Sequence, residues 1–153
     1  MDKYDITVTS ASGIEAVTKR ELTRLGFNEP KAINGSFSLR GDALSIARLN
    51  MFLRTADRVY IKLTEFKAET FDVLFDGVYS FPWEDILNPK GAFIIDGKAR
   101  ESKIFALSAS QRIVKKAIIR RLSDKTGTTY FHETAERDLI DFTIFKDVVT
   151  ILL

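Results

Sequence analysis

The order in which hydrophobic periodicities follow one another is what most limits the folds open to this chain. Tyr4, Ile6 and Val8 alternate with Asp5, Thr7 and Thr9, a period of two that suits a half-buried strand. A helical stretch follows: Ser12 with Glu15 three residues on reads as a capping box, Ile14, Val17, Leu22 and Leu25 lie near one face, and Gly26 supplies a stop. Lys31–Asn34 and Ser36–Arg40 flank an Asn34-Gly35 turn, a hairpin signal. Asp42 can cap a second helix that buries Ile46, Leu49 and Leu53, and Asp57–Leu63 reads as a strand. The order is βαββαβ within about 65 residues, the split βαβ arrangement of ferredoxin-like folds.

The second half starts afresh with helices. Thr70 can cap Phe71–Tyr79, and Pro82 suits the first position of a short helix through Leu87, where Trp83 anchors the turn and its N–H needs an acceptor. Ala92–Lys98 reads as a strand, Gly97–Lys103 as a basic loop, and Ser108 or Ser110 as the opening of a long helix reaching about Leu122 and fraying at Lys125-Thr126-Gly127. Leu139–Phe145 and Val148–Leu153 are strands split by the short connection Lys146-Asp147. This half is ααβαββ. The expected fold is therefore α+β, a ferredoxin-like domain over residues 1–65 and a second domain over residues 66–153. The apolar final strand Thr150-Ile151-Leu152-Leu153 leads us to expect further protein beyond it.

Composition removes several functions. With no cysteine, disulfides, thiolate nucleophiles and thiolate zinc sites are excluded, and the single histidine, His132, has no partner histidine for an ordinary metal site. No metal is expected. No apolar run approaches the roughly 20 residues needed to cross a bilayer. The opening residues lack a secretion signal, so no membrane association and a cytoplasmic location are expected. The carboxylate pairs Glu84/Asp85, Glu133/Glu136 and Asp138/Asp141 read as helix-start and strand-flanking charges rather than as acid–base machinery.

Charge is distributed unevenly. Residues 96–125 hold nine Lys and Arg against three acidic residues, while residues 66–95 and 126–153 each hold two against five. Lys98, Arg100 and Lys103 fall in the expected loop; Arg112, Lys115, Lys116 and Arg120 share one arc of the helix, opposite Ile113, Val114, Ala117, Ile118 and Leu122. Arg121 falls inside the apolar arc, near the helix end. Such a surface would neutralise phosphates and release counterions, with Ser102, Ser108, Ser110 and Gln111 adding polar contacts and the helix start offering N–H groups. These contacts position a nucleic acid without reading much sequence. The many aromatic residues of the second half, Phe66, Phe71, Phe75, Phe81, Trp83, Phe93 and Phe105, read chiefly as core, with stacking of exposed rings on bases as the lesser alternative.

Longer motifs point to a family. Leu53-Arg54-Thr55-Ala56-Asp57-Arg58-Val59 leading into Glu65-Phe66-Lys67-Ala68, and Phe81-Pro82-Trp83-Glu84-Asp85-Ile86-Leu87, resemble the N-terminal region of bacterial THUMP-containing class I S-adenosylmethionine-dependent RNA methyltransferases of the large-subunit rRNA guanine-N2 type. Gly13–Val17, Lys19–Leu22, Asn34-Gly35, Gly97-Lys98 and Gln111–Ile118 follow in the family's order. The resemblance implies a ferredoxin-like domain followed by a THUMP domain, and RNA as the partner, held while a separate C-terminal domain reacts. The basic patch read above then supplies the expected RNA contacts, Lys98, Arg100, Lys103, Gln111, Arg112, Lys115, Lys116 and Arg120, and no catalytic residue is expected here. The Gly-rich cofactor loop and the Asn/Asp-Pro-Pro-Tyr/Phe motif of the catalytic domain are absent from this sequence, so S-adenosylmethionine is expected only for the full-length enzyme.

Two other readings compete. A small hydrolase resembling acylphosphatase would need an anion-cradling loop, of which Ser10-Ala11-Ser12-Gly13 is a faint echo. A regulatory or protein-interaction domain without an RNA role would use an exposed strand edge or an apolar pocket.

Overall fold

In the computed structural model the described residues are 3–28, 30–33, 35–89, 91–129 and 137–153. The expected turn residue Asn34, together with His132, Glu133 and Glu136, lies outside them. The chain is mixed α and β and divides into two units, Met1–Leu63 and Thr64–Leu153.

The first unit runs β1 (Tyr4–Ser10), α1 (Glu15–Arg24), β2 (Lys31–Ile33), β3 (Ser36–Gly41), α2 (Ala43–Phe52) and the start of β4 (Ala56–Lys67). Strand order is β2-β3-β1-β4, with β1 antiparallel to both neighbours, which is the ferredoxin-like topology. Alternation sends Ile6 and Val8 of β1 and Phe37 and Leu39 of β3 inward, where they form one buried cluster with Leu22 of α1 and Leu49 of α2.

The start of α1 differs from the capping-box expectation. Ile14 occupies the N-cap without a side-chain bond, and the Glu15 carboxylate accepts from the Gly13 N–H at 2.8 Å. Ser12 is thus displaced from the cap by a turn at Gly13, whose φ of +95° favours glycine. The other end follows the sequence reading: the Gly26 N–H reaches the Thr23 carbonyl and the Phe27 N–H the Leu22 carbonyl, a Schellman closure. Asp42 caps α2 through the Ser45 N–H at 2.8 Å.

A carboxylate also fixes the α2–β4 connection. Glu21 accepts from the N–H groups of Arg54 and Thr55 and from the Thr55 hydroxyl at 2.8–3.2 Å, and Thr18 bonds Thr55 as well. The Arg54 N–H chiefly, with help from Thr55, holds the Glu21 carboxyl below its ordinary range.

The second unit contains the end of β4, then α3 (Phe71–Ser80), a 3-10 turn (Trp83–Asp85), β5 (Ala92–Arg100), α4 (Leu107–Thr126), β6 (Arg137–Phe145) and β7 (Val148–Leu152). Strands β5 and β6 are parallel and joined by α4; β6 and β7 form an antiparallel hairpin. Ile140, Phe142, Ile144, Val149 and Ile151 form the buried face, and α4 packs on α3 and β5 through Val114, Ala117, Ile118 and Leu122. Thr70 caps α3, and fully buried Trp83 donates its ring N–H to the Val78 carbonyl at 2.7 Å. The expected helix after Pro82 closes within the 3-10 turn.

Candidate nucleic-acid interface

Strand β5 is longer than the periodicity implied, and the difference moves two candidate residues. Lys98, Ala99 and Arg100 stay in register with Thr143, Ile144 and Phe145 of β6, so the expected basic loop shrinks to residues 101–106. Gly97 is not a break in the strand. A Cβ there would come within 2.5 Å of the Phe142 ring, so glycine admits that ring against the β5 backbone. Because successive strand residues point to opposite faces, Gly97 facing Phe142 on the helix-covered side sends Lys98 and Arg100 to the other side. Arg100 accordingly lies 5.1 Å from the centroid of the Phe145 ring, and Lys146 lies 5.2 Å from the same ring.

Helix α4 begins at Leu107 with Ala106 as N-cap and no side-chain cap, so neither Ser108 nor Ser110 opens it. Ser110 is buried, its hydroxyl donating to the Ala106 carbonyl. The helix runs on to Thr126 and stops at Gly127, whose φ of +70° accommodates the cap. Along it Arg112, Lys115, Lys116 and Arg120 are exposed and Gln111 is half-buried. The structure thus gathers four of the eight expected cations and polar residues on the outer face of one helix, beside Gln111, and separates Lys98 and Arg100 from them.

Intramolecular partners divide these cations further. Arg120 pairs with Asp124 at 3.0 Å, an oxygen that also accepts from the Tyr79 hydroxyl. Lys103 pairs with Glu69, as does Lys67, and these hydrogen bonds, Lys103's first, hold the Glu69 carboxyl down at about 2. Among the described residues, Lys98, Arg112, Lys115 and Lys116 have no carboxylate within ion-pair distance. They are the cations open to an external anion.

Arg121, which stood unexplained in the apolar arc, has a structural task. It grips Glu84 with two guanidinium nitrogens at 2.5–3.2 Å, reaches the Tyr79 carbonyl, and stacks 5.8 Å from the Tyr79 ring. The pair is largely shielded from water, and Arg121 holds the Glu84 carboxyl at about 2.

The loop before α4 is held by backbone geometry that side chains seldom adopt. Glu101, Lys146 and Asp147 have φ of 51°, 49° and 64°. The two turns lock together: the Lys103 N–H donates to Asp147 Oδ1 at 2.7 Å, the Asp147 N–H to Ser102 Oγ at 3.0 Å, and the Ala68 N–H to the Asp147 carbonyl at 2.8 Å. Beyond this lock Ile104 is buried while Phe105 is 80% exposed. Sequence reading had grouped Phe105 with core aromatics; its place one residue before the helix cap was the only available signal to the contrary.

No group of three or more His, Cys, Asp or Glu among the described residues is placed to hold a metal, and no helix among them is long and apolar enough to cross a membrane.

Comparison with known proteins agrees with this architecture. A family model described as the RlmL ferredoxin-like domain matches residues 5–60, and the THUMP domain model matches residues 68–153. The "Putative RNA methyltransferase YpsC" of Bacillus subtilis is 38% identical over 155 residues, covering 100% of this chain and 40% of that protein. The "Ribosomal RNA large subunit methyltransferase K/L" of Syntrophotalea carbinolica is 30% identical over 117 residues, covering 76% of this chain and 16% of that protein. Two solved structures superpose closely. A protein from Listeria monocytogenes, described as a predicted N6-adenine-specific DNA methylase, has a TM-score of 0.90 at 40% identity, over 99% of this chain and 40% of that one. SMU.472, described as "a putative methyltransferase complexed with SAH", has a TM-score of 0.89 at 33% identity, over 99% of this chain and 41% of that one. The chain spans less than half the length of each of these relatives. With its THUMP match over residues 68–153 preceded by the ferredoxin-like match, this chain belongs to the THUMP domain family.

Proposed function

We propose that this chain is the RNA-holding portion of a cytoplasmic S-adenosylmethionine-dependent methyltransferase, that its RNA is large-subunit rRNA, and that guanine N2 is the atom methylated by the full-length protein. The observation that carries the reading is the outer face of α4, where exposed Arg112, Lys115 and Lys116 have no acidic partner among the described residues. Lys and Arg there neutralise phosphates, Gln111 adds a polar contact, and a separate domain performs the chemistry. Arg120 and Lys103, tied to Asp124 and Glu69, lie at the margin of this contact rather than among its phosphate-neutralising cations. Lys98 and Arg100 become secondary contacts, since they occupy the other side of the sheet.

RNA is favoured over DNA, despite the description of the Listeria protein, because the THUMP domain is an RNA-binding module and YpsC and the K/L relative are described as RNA methyltransferases. The SAH held by SMU.472 supports S-adenosylmethionine as the cofactor of the longer protein. Residues of this chain do not fit that group: its strand-to-helix connections at 11–14, 42, 68–70 and 101–106 contain at most one glycine each, so none is a Gly-rich cradle. The cofactor and the methyl transfer are therefore assigned to the C-terminal portion that the relatives carry beyond the matched region.

The test is nucleoside mass spectrometry of large-subunit rRNA from cells lacking the full-length gene. N2-methylguanosine should fall and be restored by the intact gene, but poorly by one carrying Lys115→Glu and Lys116→Glu. Unchanged rRNA accompanied by loss of methyladenine from DNA would overturn the reading.

A further inference from the structure

Phe105 is the most exposed of the large hydrophobic side chains among the described residues, at 80%, and the loop that presents it is not loose. A hydrophobic residue just before an N-cap commonly packs on the fourth helical residue. Here that residue is Ser110, whose hydroxyl is committed to the Ala106 carbonyl, so the ring has no such partner. Meanwhile Ser102 and Lys103 are bonded to Asp147, Lys103 is paired with Glu69, and Ile104 is buried. The left-handed backbone at Glu101, Lys146 and Asp147 persists because these contacts over-determine it, and strain of this kind concentrates where a side chain must be aimed.

Phe105 directly precedes the N-cap of α4, and counted from Leu107, the first helical residue, Arg112 and Lys116 follow roughly 8 and 14 Å along the helix axis at about 1.5 Å per residue. An aromatic face beside a row of cations is how single-stranded nucleic acid is held without reading its sequence. Phe145 cannot serve in the same way, because Arg100 and Lys146 already lie against its ring.

We propose that Phe105 is a base-stacking residue, that it takes an unpaired base of the RNA, and that the neighbouring phosphates run along Arg112, Lys115 and Lys116. This rests on the RNA-holding role proposed above. It adds that the preferred RNA has an unpaired segment next to a helix rather than a continuous duplex.

The probes are a stem-loop RNA with an unpaired tail containing 2-aminopurine, and the same stem-loop with a blunt end. Phe105→Ala should lose about tenfold in affinity for the tailed RNA, little for the blunt one, and the quenching of 2-aminopurine on binding; Phe105→Trp should retain both. The salt dependence should be unchanged, since no charge is removed. Equal affinity of wild type and Phe105→Ala for the tailed RNA would overturn the stacking role. So would an equal loss on both RNAs. If wild type binds neither RNA, the RNA-holding reading itself fails, and with it this one. Circular dichroism of Phe105→Ala, expected to match wild type because the ring is exposed, separates these outcomes from misfolding.

Discussion

Reversing the charge of Lys115 and Lys116 should change how RNA binding responds to salt by an amount the structure fixes. Of the eight polar and cationic positions expected to touch RNA, Arg120 is tied to Asp124, Lys103 to Glu69, Arg100 lies on Phe145, and Lys98 is on the far side of β5. Gln111 carries no charge, so Arg112, Lys115 and Lys116 are left as a set of three cations. Three neutralised phosphates give a log–log slope of about −2 on single strands and about −2.7 on duplex. Removing two of them leaves about −0.7 to −0.9. Raising salt tenfold should therefore weaken wild-type binding by about 100- to 500-fold, and the Lys115→Glu, Lys116→Glu variant by less than about tenfold. Fluorescence anisotropy of a labelled stem-loop RNA across a salt series measures both slopes. Lys98→Glu, at a secondary contact, serves as the comparison and should change the slope less than the double reversal does. A double reversal with the wild-type slope would refute the assignment, as would Lys98→Glu taking most of the slope away.

Two further predictions concern the frame that holds α4. In Trp83→Phe the Val78 carbonyl loses its buried donor, costing about 1–3 kcal/mol, and about 40 Å3 of missing ring adds about 1 kcal/mol. Denaturant unfolding followed by circular dichroism should show the sum, about 2–4 kcal/mol; a change below about 0.5 kcal/mol would mean that the indole site is not the anchor described. Acid should weaken the clamp between Arg121 and Glu84. The folded carboxyl sits at about 2 against an ordinary 4.5, so its stabilisation is complete above about pH 4.5 and is lost as pH falls towards 2. In Arg121→Gln the melting temperature should already be lower at neutral pH, and its deficit relative to wild type should narrow through that window. A constant deficit would exclude the carboxylate as the cause.

Much of this architecture could be read from the chain because its cores obey simple periods. Ile6 and Val8 of β1, Phe37 and Leu39 of β3, and Leu22 and Leu49 on the helices all occupy positions that alternation or helical spacing assigns to the interior. The failures share a physical origin: in each, a distant residue decided a local matter. Gly97 looks like a loop residue until the Phe142 ring is placed against it, after which β5 runs through to Arg100. Ser12 looks like a cap but loses that position to the turn at Gly13. Arg121 looks misplaced in an apolar arc until Glu84, 37 residues away, is brought to it. The cationic face of α4 was legible because helical spacing alone defines it. Which of its cations are already engaged was not, since Asp124 competes with solvent for Arg120 only once the helix exists.

The Lys146-Asp147 turn also bears on the order in which the chain can assemble. A two-residue hairpin with both residues left-handed ordinarily draws on Asn-Gly, whose local preferences suffice. Here the turn borrows its geometry from Ser102 and Lys103, residues synthesised 44 and 45 positions earlier. A peptide containing β6 and β7 alone would have little reason to close. During translation the template emerges from the ribosome first, and the last strand is the one that must wait for it.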